Sequence, residues 1–266
     1  MKTVIKDYHF AWKSVLLFII VYITWLASII SYLYGDVSFF SSFVICTFCG
    51  YILFTPMHEA THGNVVGKHK KYKVIESLIG NLSAMSMFIP YNIFKHLHLQ
   101  HHSFTNNKNL DPDYWVASRN PLLLLIKIFT IKPHYYYHVV FKPKSVVKRE
   151  RLSALSSLAI YGVLIILGQI YFSSGLVLFL LWFGSSLFSL AILAFAFDWL
   201  PHTPHDKSGR YLDTKIIDKS FLTYPMLYQN YHLSHHLYPR VPFYNYKKVF
   251  QELEGEIELK GGLIIR

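Results

Sequence analysis

Histidine is concentrated in four short segments of this sequence. They begin at residues 58, 96, 202 and 232 and read HEATH, HLHLQHH, HTPH and HLSHH, which accounts for eleven of the 15 histidines. Side chains three or four residues apart lie on one face of an α-helix, about 5–6 Å from each other, so each segment can direct two or three imidazoles at one site. This spacing predicts a metal centre assembled from several parts of the chain.

Nine of these histidines are candidate ligands, and that number indicates more than one metal ion. A structural zinc site is complete with about four ligands, so nine suit a pair of ions better. Imidazole binds iron, zinc and copper alike, and the donor type therefore leaves the metal open. The sequence lacks the Glu-x-x-His repeats of soluble di-iron bundles. The candidate ligands are His58, His62, His98, His101, His102, His202, His232, His235 and His236.

Polar residues beside these segments could support the ligands, because a metal-bound histidine usually donates its second N–H to an acceptor. Asp111 and Asp113 follow the second segment and could accept such bonds, or could simply form a turn around Pro112. His205 could orient His202 or contact carboxylates near it. These residues are predicted to support the site without binding the metal.

Four further residues are weaker candidates for a role at the site. His96 lies two residues before His98 and would face away from the cluster on a helix. His134 and His138 have helical spacing, but three tyrosines separate them, which indicates an aromatic belt at a membrane surface and no metal role. Glu59 could accept a bond from a ligand or be a packed polar group.

The rest of the chain has the composition of a membrane protein, with 53% hydrophobic and 15% charged residues, against about 25% charged in soluble domains. Uncharged stretches at about 14–35, 37–57, 152–173 and 175–197 each approach the roughly 20 residues that a membrane-spanning helix needs. The turns between the paired stretches are only a few residues long. The expected fold is an all-α integral membrane protein in one domain, residues 1–266. Its four transmembrane helices form two hairpins, and residues 58–151 and 198–266 form a histidine-rich helical cap.

Several other stretches can be assigned from the same pattern. Ser77–Phe94 and Pro121–Ile131 are predicted to be shallow interfacial helices: a crossing at the first would put histidines on opposite faces of the membrane, and the second is too short to span. Cys46 and Cys49 are predicted to be packed small residues. Residues 251–266, with alternating glutamates, are predicted to be a solvated tail.

The basic residues predict the orientation of the chain. All 26 lysines and arginines lie outside the two predicted hairpin turns, so the positive-inside rule puts the cap and both termini in the cytoplasm. Basic stretches at 1–13, 68–73 and 142–151 flank the predicted spans. Anionic lipid or an acidic electron-donor protein therefore explains the net charge of +11 better than nucleic acid does. No cleavage site follows the first span, which favours a retained helix in a bacterial inner membrane.

The three segments His58–His62, His98–His102 and His232–His236 resemble the histidine boxes of the membrane fatty acid desaturase and hydroxylase family. The resemblance runs from about His58 to Tyr246. It implies two iron ions, held by the nine histidines, with O₂ as co-substrate. Family members carry an Asn-x-x-x-His element after the fourth span, where this chain has Asp198 to His202. The resemblance thus implies that His202 is the ninth ligand, while Asp198 in place of Asn leaves open whether that position binds the metal directly or holds a metal-bound water.

The resemblance implies an O₂-dependent oxidoreductase that attacks an unactivated C–H bond of a long-chain lipid, in the first place a fatty-acyl desaturase. The stretches Asp198–His205 and Tyr231–Pro242 are also similar to the bacterial carotenoid-ring hydroxylase branch, so hydroxylation of a β-carotene ring is the alternative. Both reactions begin with the same hydrogen abstraction. The sequence has no Gly-rich dinucleotide motif and no cysteine set for an iron–sulfur centre, which implies a separate electron donor such as a ferredoxin.

Two functions without such chemistry fit the sequence poorly. A heme protein that carries electrons through the membrane would need axial histidines on facing spans, and Ser14–Met57 and Leu152–Phe197 contain none. The path of a metal transporter would need polar or ionisable residues within the spans. These spans offer little beyond Ser, Thr, Tyr, one Gln and the two cysteines.

Overall fold

A computed structural model describes residues 10–141 and 148–266 of the chain, and most of these residues are helical. Parts of the predicted basic stretches, residues 1–9 and 142–147, lie outside the described residues. The longer helices are α1 (Trp12–Leu33), α2 (Phe39–His62), α3 (Lys73–Ser86), α4 (Tyr91–Phe104), α5 (Pro121–Phe141), α6 (Lys148–Phe172) and α7 (Gly175–His202).

Four of these helices, α1, α2, α6 and α7, are long and apolar enough to cross a membrane, as the sequence predicted. Two of them continue beyond the predicted ends. Helix α2 runs to His62 instead of residue 57, and α7 runs to His202 instead of residue 197. The first and last histidine segments are therefore carried on the ends of the candidate spans themselves, so their positions follow directly from the packing of those helices.

The bounds of α2 have clear local causes. At its start, the Ser38 hydroxyl accepts a hydrogen bond from the Ser41 backbone N–H at 3.1 Å, which satisfies one of the free amides of the first turn. At its end, Gly63 takes a left-handed conformation with φ of 76°, which a residue without a side chain adopts at little cost. The helix therefore ends at His62.

The candidate spans bury aromatic residues between them and leave apolar residues on the outside. Helices α1 and α2 pack against each other and α2 packs against α7. Trp25 and Trp182 meet edge to face with ring centroids 5.9 Å apart. On the outer faces, Ile23 and Phe40 are exposed, and an apolar surface of this kind is suited to lipid. Cys46 and Cys49 are buried free thiols among these helices, in keeping with the predicted packing role.

The stretch Ser77–Phe94 does not form the one shallow helix that the sequence predicted. It belongs to two helices, α3 and α4, which are separated at residues 87–90. Phe88 there has φ of 54°, and Pro90 has no backbone N–H to continue a helix. Trp182 donates to the Met85 carbonyl at 2.7 Å and Tyr161 to the Ile89 carbonyl at 3.0 Å. The break is thus stabilised by side chains of α6 and α7, which the local sequence does not reveal.

The prediction for Pro121–Ile131 was too short. Helix α5 continues through Pro133 to Phe141 and has 21 residues. The prediction ended where Lys132 and Pro133 interrupt the apolar pattern. In the structure Lys132 is buried, donates a hydrogen bond to Ser186 and lies 4.1 Å from the centre of the Phe183 ring. These contacts with α7 give the ammonium group a partner and let the helix continue.

Helix α7 contains two wide π-type turns, at Leu180–Gly184 and Ala194–Trp199. Such turns insert an extra residue and often occur at functional sites. The second one includes Asp198 and immediately precedes the last turn of the helix, Leu200–His202. It therefore shifts the direction in which Asp198 and His202 leave the helix.

The carboxy-terminal region is folded, and the predicted solvated tail was wrong. It contains β1 (Lys215–Ile217), α8 (Ser220–Thr223), α9 (His232–Leu237), α10 (Tyr246–Leu259) and β2 (Leu263–Ile265). The strands pair in parallel, with Ile216 opposite Ile264, so the fold is not purely α-helical. One face of α10 packs against α9 and β2 and shares an apolar cluster with Ile216 of β1. That face has helical spacing and consists of Val249, Phe250, Leu253 and Ile257.

Candidate metal centre

The structure divides the nine predicted ligands into two adjacent clusters, each with its ring nitrogens converging within 4.8 Å of one another. The first cluster contains five histidines and the second contains four. Their rings touch: His102 and His236 stack with centroids 4.4 Å apart. The first cluster is His58, His62, His98, His102 and His235, and the second is His101, His202, His232 and His236.

In the first cluster, Nε2 atoms face each other around a common centre. The Nε2 of His235 lies 3.0 Å from that of His58 and 2.9 Å from that of His102. The Nε2 of His98 lies 2.9 Å from that of His62 and 3.1 Å from that of His102. A metal–nitrogen bond of about 2.1 Å gives neighbouring ligands at right angles a separation of about 3.0 Å. The observed spacing matches imidazoles arranged around one ion.

In the second cluster, three of the four rings have a hydrogen-bond acceptor at Nδ1. The Nδ1 of His101 lies 2.9 Å from Asp111, that of His202 lies 3.1 Å from the Asp213 carbonyl, and that of His232 lies 3.0 Å from Oε1 of Gln229. These oxygens accept hydrogen bonds, so each Nδ1 carries the proton. At His202 and His232 the Nε2 is then left with a lone pair for the metal, as metal binding requires.

An unpartnered nitrogen indicates that this cluster can bind a cation. Nε2 of His202 is buried and has no hydrogen-bond partner within the described ranges 10–141 and 148–266. A buried acceptor left without a partner costs free energy of about 1–3 kcal/mol. A metal ion between the rings would satisfy this nitrogen together with its neighbours, so the donor set fits a metal.

The ionisation of the histidines is also compatible with metal binding. Burial lowers the pKa of His98, His102, His232, His235 and His236 well below the usual value, so these rings are neutral. Only unprotonated nitrogens can bind a metal.

His101 differs from the other ligands. Burial opposes its charged form, but the carboxylates of Asp111 and Asp113 outweigh that effect and raise the pKa of His101 to about 10. A metal at its Nε2 would replace a proton there. Asp113 lies 3.5 Å from Nδ1 of His101, and burial raises the pKa of its carboxyl to about 6.

Asp198 lies outside both clusters. It lines a small pocket together with Asp113 and Tyr135, and the Tyr135 hydroxyl donates to Asp113. The other walls of the pocket are mainly apolar and include Phe54, Phe94, Leu190 and Leu193, and His98 of the first cluster is also exposed to it. The structure thus places Asp198 beside the carboxylates near His101, in a pocket that also reaches His98 of the first cluster.

The remaining histidines of the described region are also outside the clusters. His205 is buried near His202, with ring centroids 6.1 Å apart. His96 points away and contacts Glu150 at 3.2 Å, as its spacing predicted. His134 stacks on Trp115 with centroids 4.3 Å apart and lies 3.2 Å from His138. These two form a pair of their own on α5.

Two supporting residues were missed from sequence. Gln229 lies three residues before His232, a spacing that could have suggested it. Tyr246 gave no such signal: its hydroxyl lies 2.9 Å from Nδ1 of His235 and also hydrogen-bonds Glu59. Glu59 is fully buried and accepts from Ser14 at 3.3 Å and Asn64 at 3.2 Å. Buried hydrogen bonds therefore link Glu59 to Tyr246 and Tyr246 to His235 of the first cluster.

The chain was compared with models of protein families and with curated proteins. A family model described as "Fatty acid desaturase" matches residues 37–265, which is most of the chain and includes both clusters. A search of curated proteins found no match.

Proposed function

The chain belongs to the fatty acid desaturase family, and from this membership we propose that it is an O₂-dependent membrane enzyme that oxidises an unactivated C–H bond in the acyl chain of a lipid. The observation that carries the proposal is the division of nine histidines into two touching clusters, each with convergent nitrogens. A structural zinc ion would use about four ligands and would leave the five-histidine cluster unexplained.

Two iron ions would fit these clusters, one in each. Iron bound by neutral nitrogen donors supplies the reductive activation of O₂ and the abstraction of hydrogen, which protein side chains cannot perform. The fit rests on the unpartnered Nε2 of His202 and on the neutral rings of His98, His102, His232, His235 and His236. The electrons would come from a separate acidic protein such as a ferredoxin, because the chain has no redox motif of its own.

The side chains around the clusters would orient the ligands and position the substrate. Asp111, Gln229 and Tyr246 hold ring nitrogens in one orientation, which keeps the opposite nitrogens aimed at the metal. Phe54, Phe94 and Leu193 line the small pocket at His98. Their apolar side chains would exclude water there, and contact with them would help to set which methylene group of the substrate lies against the first cluster, since such positioning decides which C–H bond reacts.

The proposal includes the arrangement of the chain in the membrane. Helices α1 and α2 would form one hairpin and α6 and α7 the other, with the histidine clusters in a cap on the cytoplasmic side. Support comes from the histidines at the ends of α2 and α7 and from the absence of lysine and arginine in the two short turns. A bacterial inner membrane would provide this orientation.

Lipid mass spectrometry tests the reaction. Bacteria expressing the wild type or His236→Ala would be grown with a suitable electron donor, with and without a supply of carotenoid. We expect acyl chains that have lost two hydrogens with the wild type and none with the variant. Oxygen added to the carotenoid ring would instead establish the hydroxylase alternative. If neither product forms while the protein contains iron, the substrate proposal is wrong.

A further inference from the structure

A large cleft opens beside the first cluster. It has a volume of about 750 Å³ and lies between the end of α2, the start of α3, α4 and the segment after α9. His62 forms part of its wall. We call it the basic cleft. A molecule bound in it would lie directly next to the five-histidine cluster, yet none of the oxidation chemistry described above requires the cleft.

The basic cleft has an excess of positive charge. Lys68, Lys73, Lys95 and Arg240 line it, and Glu76 is the carboxylate among its lining residues. Glu76 accepts a hydrogen bond from the Val66 backbone N–H at 3.4 Å and is within reach of the charges of Lys73 and Lys95. Because one carboxylate faces four cations, a ligand with more than one negative charge would complement the site.

The position of α3 relates the cleft to a membrane surface. Lys73 begins this helix, and the next turn exposes Val74 and Leu78, which are 78% and 54% accessible. A helix that places a lysine beside exposed aliphatic side chains has the composition of an element in the lipid head-group region. The cleft would then open at the depth where lipid phosphates lie.

Building on the proposed function, we propose that the basic cleft binds the phosphate-bearing head group of the acyl substrate. The shared chemistry is a phosphate ester linked to an acyl chain, whether in a phospholipid or in the phosphopantetheine arm of an acyl thioester. The head would be held by Lys73, Lys95 and Arg240 while the chain reaches the clusters past His62. A carotenoid has no phosphate, so occupation of this cleft favours an acyl substrate.

Binding to the purified full-length protein in uncharged detergent tests the proposal. The probes are phosphatidic acid, an acyl-coenzyme A and, without phosphate, the methyl ester of the same fatty acid. The test variant is Lys73→Gln with Arg240→Gln, and the charge-keeping control is Lys73→Arg with Arg240→Lys. A second control, Lys248→Gln, removes an exposed charge from α10, away from the cleft.

We expect the glutamine variant to bind the phosphate probes about tenfold more weakly, because charge-assisted hydrogen bonds are lost. Both controls should bind within about twofold of the wild type, and the methyl ester should not distinguish the proteins. Iron content verifies that the variant is folded. Whichever phosphate probe binds more tightly to the wild type identifies the source of the phosphate.

Two outcomes would overturn the proposal. In one, the glutamine variant binds both phosphate probes as the wild type does. In the other, lipid binding is unchanged while the concentration of electron donor needed for half-maximal turnover rises, which would assign the cleft to an acidic protein. Binding is measured without turnover, so the two proposals can fail separately. If the glutamine variant loses phosphate binding as expected but the wild type oxidises no lipid, the cleft proposal stands and the proposed reaction is rejected.

Discussion

At the scale of single residues, the partners of the ring nitrogens matter as much as the histidines themselves. Asp111, Gln229 and the Asp213 carbonyl each accept from an Nδ1–H in the second cluster. Each contact selects one tautomer and fixes one ring. Three of its four rings are therefore partly oriented before a metal binds, which reduces the entropy lost on binding.

Removing one ring from a cluster should disable the enzyme without removing it from the membrane. In His102→Ala the first cluster loses the nitrogen that faces both His98 and His235. We expect activity to fall by at least about a hundredfold, since even the partners of ligands are worth 10–100-fold. The measurements are lipid product and iron per chain in washed membranes. His134→Ala is the matched control and should keep both, because His134 lies outside the clusters; full iron in His102→Ala would refute the assignment.

Tyr246→Phe should weaken iron binding by the first cluster, but less than the loss of a ligand does. The change removes the hydroxyl 2.9 Å from Nδ1 of His235 and keeps the ring. Burial and the neighbouring Glu59 carboxylate raise the pKa of Tyr246 well above its usual value, so the neutral phenol can donate to that carboxylate. We expect about tenfold faster loss of iron to a chelator. Tyr244→Phe serves for comparison, and equal rates in the two variants would show that Tyr246 does not support His235.

All nine predicted ligands lie in the two clusters, because spacing within a helical turn is visible in sequence. The division between clusters was not visible. His101 and His102 are neighbours in sequence, but successive residues of a helix point about 100° apart, so they enter different clusters. Tyr246 could not be foreseen, because its contact with His235 depends on how α10 packs.

At the scale of elements, helix ends deliver the ligands. The last turns of α2 and α7 carry His58, His62 and His202, while α4 and α9 bring the two H-x-x-H-H segments to them. The candidate spans were predictable from the length of the apolar runs. The break between α3 and α4 and the full length of α5 were not, because Trp182 and Ser186 on α7 supply the partners that permit them.

The buried face of α10 should be required for the folded cap. Ile257 is fully buried there, whereas Gly255 faces solvent and a methyl group at that position would meet nothing within 4 Å. Ile257→Ala should destabilise the protein by about 2–4 kcal/mol, and Gly255→Ala should stabilise it by up to about 1 kcal/mol through helix propensity. The unfolding temperature in detergent measures both. No decrease for Ile257→Ala would mean that α10 is not part of the cooperative fold.

At the scale of the whole molecule, the candidate spans and the cap form one continuous structure. The amphipathic pattern of α10 was present in the sequence, but its alternating glutamates suggested a tail. Its burial depends on β1 and α9, which lie earlier in the chain. Contacts of this kind are the part of a fold that local pattern cannot supply.

The proposed orientation can be measured by labelling. In a Cys46→Ala and Cys49→Ala background, Ser173→Cys lies in the short turn between α6 and α7, and Lys248→Cys lies on α10. A membrane-impermeant maleimide should label position 173 in intact spheroplasts and position 248 only in inverted vesicles, because the proposed orientation keeps the basic regions in the cytoplasm. Labelling of both positions from one side would exclude the two-hairpin arrangement.

The sharing of α4 and α9 between the two clusters has a consequence for metal loading. An ion in the first cluster fixes His98 and His102 on one helix and His235 on the other, and thereby holds His101, His232 and His236 in place. Binding of the second ion then costs less conformational entropy, because these histidines are already ordered. The occupancies of the two sites are therefore expected to rise together. In cells short of iron the population would divide into empty and fully loaded molecules, with few chains carrying a single ion. Activity would then rise steeply once the iron supply passes a threshold.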